Sequence, residues 1–172
     1  MEAYIRRAKA EDLEKIAEIL ESGRQYLENQ GLPQWQDGYG PSRTDAAADI
    51  EAGYGYVLLV SGAVAGYASL IPEPDGSPPL SEGAYEGSYD RYVAVHRVAV
   101  DGSLRGRGLS RQFLRDMVIA AGALGYQDIR IDTHPGNVIM QKITQQVGFS
   151  PQGVMHLPIP DGERLAYQIL LD

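Results

Sequence analysis

The sequence predicts an α/β domain with a mixed sheet, its elements running β-α-α-β-β-β-α-β-α-β-β. Three observations carry this. Short apolar runs rich in Val, Ile and Tyr recur at both ends and in the middle. Three longer stretches space their apolar residues three and four apart. After residue 91, strand-type and helix-type stretches alternate instead of clustering. At 172 residues the chain is expected to form one domain, 1–172, able to bury a core without disulfides or metal.

The elements follow in order. Residues 4–7 read as a short opening strand. Leu13, Ile16, Ala17, Leu20 and Leu27 then share one helical face. The segment NQGLPQWQDGYGPS breaks that period with glycine and proline. A second helix is expected from Thr44, as N-cap, to Ala52. YVLLV and AVAGYASLI, joined by Ser61 and Gly62, read as a hairpin. Residues 72–90, rich in proline and glycine, predict a long mobile loop. RYVAVHRVAV (91–100) predicts a strand buried on both faces. Leu109, Phe113, Met117, Val118, Ala121 and Leu124 mark the next helix, and DIRIDTH the next strand. In NVIMQKITQQVG, Ile139, Ile143 and Val147 form a helical stripe that Gly148 terminates. FSPQGVMHL and RLAYQILL close the chain as a strand pair around a turn at 160–162.

Composition narrows the function. A net charge of −8 repels a nucleic-acid backbone, so no nucleic-acid partner is expected. There is no cysteine, which excludes a disulfide framework and thiolate metal sites, and no metal is expected. The opening MEAYIRRAKAEDLEK lacks the apolar core of a signal peptide. No apolar run approaches the roughly 18 residues of a membrane span, so no membrane partner is expected and the protein reads as soluble and cytoplasmic.

Against that acidic background one loop concentrates positive charge. The strand ending at Val100 leads into Arg105-Gly106-Arg107-Gly108-Leu109-Ser110, where a helix begins. A strand, a glycine turn and a helix start make an anion cradle, because the first helical N–H groups have no intrahelical acceptor. Two glycines let a ligand approach the main chain, and arginine forks suit phosphate. The loop lacks the Gly-Lys-Ser/Thr of a P-loop and the G-x-G-x-x-G of a dinucleotide site. A small polyanion fits this local charge; a surface turn of solvated arginines is the plain alternative.

The surroundings of this loop resemble the GNAT N-acetyltransferase family. Its signature, Arg/Gln-x-x-Gly-x-Gly/Ala after a buried strand, is met by Arg105-x-x-Gly108-x-Ser110 after HRVAV, with Ser110 departing as a small polar residue. IRIDTH stands as the fifth strand, Asn137 opens the following helix and VGF (147–149) closes it. The N-terminal strand, two helices and VAGYASL extend the resemblance over most of the chain. It implies a mixed, mostly antiparallel sheet of about seven strands flanked by about four helices, the count in the order above.

The resemblance also implies an acyltransferase that moves acetyl from acetyl-CoA, as co-substrate, to a primary amine of a small molecule or peptide by direct attack in a ternary complex. Cofactor contacts would fall on Arg105, Gly106, Arg107, Gly108, Leu109 and Ser110 for the pyrophosphate. Val98, Ala99 and Val100 would meet the pantetheine and thioester, where that strand splays from the strand at 128–133, and Asn137 the far part of the cofactor. Many members place a tyrosine acid four residues before the Gly of Gly-Phe; here that position is Thr144, a poor acid. His134 and His96 are the substitutes, since imidazole titrates near about 6.5. A turn histidine and a satisfied buried pair are the plain alternatives. Trp35, Tyr39 and Arg97 are expected at the acceptor, the two rings through cation–π contact or simply as packing. Glu82, Glu86 and Asp90 are weaker base candidates, and Tyr85, Tyr89 and Tyr92 weaker acids. A non-catalytic acetyl-CoA sensor and a transferase for longer acyl groups stay open. Family members are often dimers, so a homodimer is an expected assembly, although no interface is legible.

Overall fold

The computed structural model describes residues 2–74, 77–87 and 89–172. Its elements are β1 (Ala3–Arg7), α1 (Leu13–Asn29), α2 (Arg43–Ala52), β2 (Gly55–Val60), β3 (Ala63–Pro72), β4 (Glu82–Gly83), β5 (Val93–Val100), α3 (Leu109–Ala123), β6 (Asp128–Thr133), α4 (Val138–Val147), β7 (Ser150–His156) and β8 (Glu163–Leu170). Among the described residues the strands form one sheet of eight, ordered β1-β2-β3-β5-β6-β8-β7-β4. Every pairing is antiparallel except β5 with β6.

The strand period of two divides the core. Tyr56, Leu58 and Val60 pack with Phe113, Leu114 and Met117 of α3. Val57 and Leu59, the alternate residues of β2, pack with Ile16, Ile19, Leu20 and Ala46 of α1 and α2 on the other face. The strand is therefore buried on both sides, and the sheet is a middle layer between α1/α2 and α3. No helix of the described residues is long and apolar enough to cross a membrane.

Several expectations shift locally. The cap of α2 is Ser42 rather than Thr44: its hydroxyl accepts from Asp45 N while the Asp45 carboxylate accepts from Ser42 N. The turn of the β2–β3 hairpin has positive φ at both Ser61 and Gly62, as its short length demands. On α4 it is Ile143 and Val147, with Met140, that pack on the core. Ile139 is 52% exposed, because it is one position round the helix from Met140.

The segment 72–90 departs most from expectation. It does not simply connect β3 to β5. It crosses the sheet, adds β4 at the far edge beside β7, and returns. Gln168 of β8 holds it: the side-chain amide donates to Glu86 O (3.0 Å) and accepts from Glu86 N (2.8 Å). Asp75, Gly76 and Ser88 of this segment lie outside the described residues.

Candidate active site

Two irregularities open the sheet at its centre. The parallel ladder between β5 and β6 pairs only Val93 with Ile129 and Ala94 with Arg130, so past Ala94 the strands part. On its other side, β5 pairs Tyr67 with Ala99 but Ser69 with His96, so one extra residue is bulged out between them. Arg97 sits in that bulge at φ 57°, a left-handed conformation that a side chain disfavours.

A built network holds the bulge. Arg97 Nη1 donates to Asp49 Oδ2 (3.3 Å), Asp49 Oδ1 (3.4 Å) and Ser69 Oγ (3.3 Å). Asp49, on α2, is buried and also accepts from the Tyr67 hydroxyl at 2.6 Å. Ser69 Oγ in turn donates to His96 O (3.2 Å). Burial and the neighbouring Asp49 carboxylate push the Tyr67 hydroxyl far up, so it stays a donor.

The parted strands open into a cleft of about 780 Å³. One end is the mouth of α3. Gly106 (φ 83°) and Gly108 (φ 71°) both have left-handed backbone, and a Cβ at either would point into open space. Gly108 caps α3 and accepts from Gln112 N, so the amides of the intervening first turn, whose Leu109, Ser110 and Arg111 line this end of the cleft, have no helical acceptors. The Arg105 guanidinium lies 3.8 Å over the Tyr26 ring and lines the same end.

At the other end, His96 of β5 and Asp132 of β6 share the floor with Arg164. Burial pushes the His96 imidazole below its ordinary value, and the Asp132 charge opposes that. Burial pushes the Asp132 carboxyl above the usual range, against the charges of His96 and Arg164. His96 Nε2 is buried with no hydrogen-bond partner among the described residues. Arg164 is anchored by Asp161 O (2.9 Å) and Glu163 O (2.8 Å).

The cleft gathers His96, Arg97, Val98, Ala99, Val100, Arg105, Gly106, Gly108, Leu109, Ser110 and Asn137, together with Trp35 and Tyr39. Asn137 caps α4 through Oδ1, which accepts from Met140 N, and its Nδ2 donates to Gln34 Oε1 (3.2 Å). Trp35 packs over Gly23 of α1, where a Cβ would come within 3.1 Å of its ring, so it serves as packing and wall together. Tyr39 is 52% exposed at the rim.

Two candidates lie elsewhere, and so does Thr144, the position set aside as a poor acid. Arg107 is exposed on the loop and is not among the residues lining the cleft. His134 also stands outside it: its Nδ1 accepts from Gly136 N (3.0 Å), the part of a turn histidine ahead of α4. Thr144 is buried and its hydroxyl has no partner among the described residues.

Sequence reasoning passed over Asp132, Arg164, Asp49 and Tyr26. For Asp132 a signal existed, since Asp128, Arg130 and Asp132 alternate with Ile129 and Ile131 and mark a polar face on an interior strand. Tyr26 meets Arg105 only through the packing of α1 beside the loop, which no local pattern announces.

Comparison with known proteins follows this geometry. The family model for the acetyltransferase (GNAT) family matches residues 13–149. A GNAT-family acetyltransferase from Streptococcus agalactiae 2603 is 32% identical, with 99% of this chain and 96% of that one covered at a TM-score of 0.85. An N-acetyltransferase from Staphylococcus aureus Mu50 is 22% identical over the whole of both chains, at 0.69. A Salmonella typhimurium protein assigned as an acetyltransferase and solved with its cofactor acetyl-CoA is 21% identical, covering 100% and 95%, at 0.72. The last two share the fold. No curated protein matches the chain.

Proposed function

The chain belongs to the acetyltransferase (GNAT) family, and we propose that it transfers acetyl from acetyl-CoA to a primary amine by direct attack in a ternary complex. The observation that carries this reading is one continuous cleft running from the α3 mouth, along the bulged edge of β5, to His96 and Asp132. The residues present fit the coenzyme. Two left-handed glycines leave the space a Cβ would take, first-turn amides point to it, and Arg105 adds charge. Main-chain groups of Val98, Ala99 and Val100 run along the cleft between that cradle and the floor.

Acetyl-CoA, when bound, supplies an acyl group activated as a thioester. The chain's own residues do the rest. Past Ala94 the ladder of β5 with β6 ends, and a main-chain N–H of β5 on that parted edge stabilises negative charge developing on an acyl oxygen. His96 is neutral near pH 7 because burial lowers its pKa, so Nε2 is free to take the proton of an attacking amine. The Asp132 charge stabilises the imidazolium that results.

Two measurements test the proposal: calorimetry with coenzyme A, and thiol release from acetyl-CoA across an amine panel. His96→Gln is expected to cut kcat by about 10²–10⁴-fold, the usual yield of acid–base catalysis, with little change in coenzyme affinity. Coenzyme binding without thiol release for any amine overturns the catalytic reading in favour of a sensor. Absence of coenzyme binding overturns both.

A further inference from the structure

A second cavity of about 470 Å³ lies against the first and is roofed by the crossing segment. The two share Ser77, His96, Ile131, Asp132 and Met155, so they meet at the His96–Asp132 floor. Ala94 and His96 alternate along β5, and Arg130 and Asp132 along β6, which puts these four on one face of the sheet, with Tyr92 just ahead of β5 lining the same cavity. His96 stands opposite Ser69, two residues from Tyr67, so this is the face that α1 and α2 cover further along. Pro78, Pro79, Leu80 and Ala84 close the cavity from above.

The charge at its far end is already matched. Arg130 lies 3.7 Å from the Tyr85 ring and 3.8 Å from the Tyr92 ring, with Asp128 Oδ2 at 2.9 Å from its Nη2. Burial pushes the Tyr85 hydroxyl up to about 12, so that ring stays neutral. Among the described residues that line it, the buried side-chain atom without a partner is His96 Nε2, at the end shared with the main cleft. The remaining walls are Ser77, Gly83 and proline, leucine, alanine, isoleucine, methionine and tyrosine-ring surface, none of which carries a charge. Its volume falls in the range of about 300–1,000 Å³ that holds a small organic molecule.

We infer that this cavity receives the body of the acceptor. The acceptor is a primary monoamine whose amino group reaches His96 and Asp132 and whose remainder is uncharged and apolar, such as an aromatic ring on a short chain. A second ammonium or a carboxylate on that remainder would be desolvated with no counter-charge to meet it. The inference rests on the acetyltransfer reading above, because that reading fixes which end holds the amine.

The test compares phenethylamine, putrescine and β-alanine as acceptors. Two variants narrow the cavity from opposite sides: Ala94→Leu from β5 and Ala84→Trp from the roof. Calorimetry with coenzyme A certifies that each variant is folded. Phenethylamine is expected to exceed putrescine and β-alanine at least tenfold in kcat/KM, and its KM is expected to rise at least tenfold in both variants. Equal use of the three amines, or an unchanged KM for phenethylamine in the folded variants, overturns the inference. If no amine releases thiol, the acetyltransfer reading fails separately. The cavity is then judged by binding of phenethylamine to the coenzyme A complex. Binding that Ala94→Leu and Ala84→Trp both weaken supports the cavity as an amine site, and absent or unaltered binding overturns it.

Discussion

The Asp49–Arg97 pair offers a quantitative handle on the bulge. Arg97 is held at φ 57°, and a left-handed residue with a side chain costs about 1–2 kcal/mol. Its guanidinium is 25% exposed, whereas the Asp49 side chain is 7% exposed. The two ends therefore respond differently to loss of the partner. Asp49→Asn leaves an arginine that water can reach and a side chain that still accepts from Tyr67, a loss of about 1–2 kcal/mol. Arg97→Gly strands a buried carboxylate, a loss of about 3 kcal/mol at the low end for such pairs, offset by about 1–2 kcal/mol of relieved backbone strain. The double variant Asp49→Asn/Arg97→Gly removes both charges and supplies a residue at ease with positive φ. It is expected to lose no more than about 1 kcal/mol relative to the parent, so the coupling is about 1–4 kcal/mol. Urea denaturation of the four proteins measures it. Single losses that simply add, within about 0.5 kcal/mol, would show that nothing is clamped. The same set read by thiol release separates backbone from side chain. Asp49→Asn should lose kcat about tenfold or more, and the double variant should regain most of it.

Other outcomes follow from the site. Gly108→Ala forces a Cβ onto left-handed backbone and should cost about 1–2 kcal/mol of stability by thermal melting, with weaker coenzyme A binding in calorimetry. Arg105→Glu removes the Tyr26 stacking and reverses the charge at the cradle, so coenzyme A affinity should fall at least about tenfold, and more at low salt than at high salt. The pH profile of kcat/KM should keep its activity down to a pH below the ordinary histidine range before its acid side falls, since burial lowers the His96 pKa and only the neutral ring accepts a proton. Asp132→Asn should move that limb lower still, because the Asp132 charge is what holds His96 up. The same variant should raise Tm at neutral pH. A carboxyl whose folded pKa is raised destabilises the native state above that pKa and ceases to do so as pH falls through it. A lower Tm for Asp132→Asn at pH 7, measured by calorimetric melting, would contradict that sign.

Most of the fold was legible because its signals are local. The apolar runs of β2 and β3, the spacing of Leu109, Phe113 and Met117, and the glycine stop at Gly148 each act within a few residues. The glycine turn that opens α3 was legible for the same reason, being one contiguous loop. What escaped was set by long-range partners. β4 has only two residues and exists because β7 offers an edge at that height. The cleft floor joins His96, Asp132 and Arg164 from three strands, and no local period reports such a meeting. His134 illustrates the converse: its residue type suits catalysis, but Gly136 N two residues on claims its nitrogen.

The path of the segment 72–90 bears on how this scaffold varies. The cradle belongs to α3, whereas the wall over the second cavity belongs to a strap fastened at Gln168 and the sheet's outer edge. Because the two are built from separate stretches of chain, the strap is free to be lengthened, shortened or recomposed while the glycine turn and α3 stay intact. On the acceptor reading proposed above, exchanging residues 77–86 between relatives changes the acceptor without touching the α3 turn.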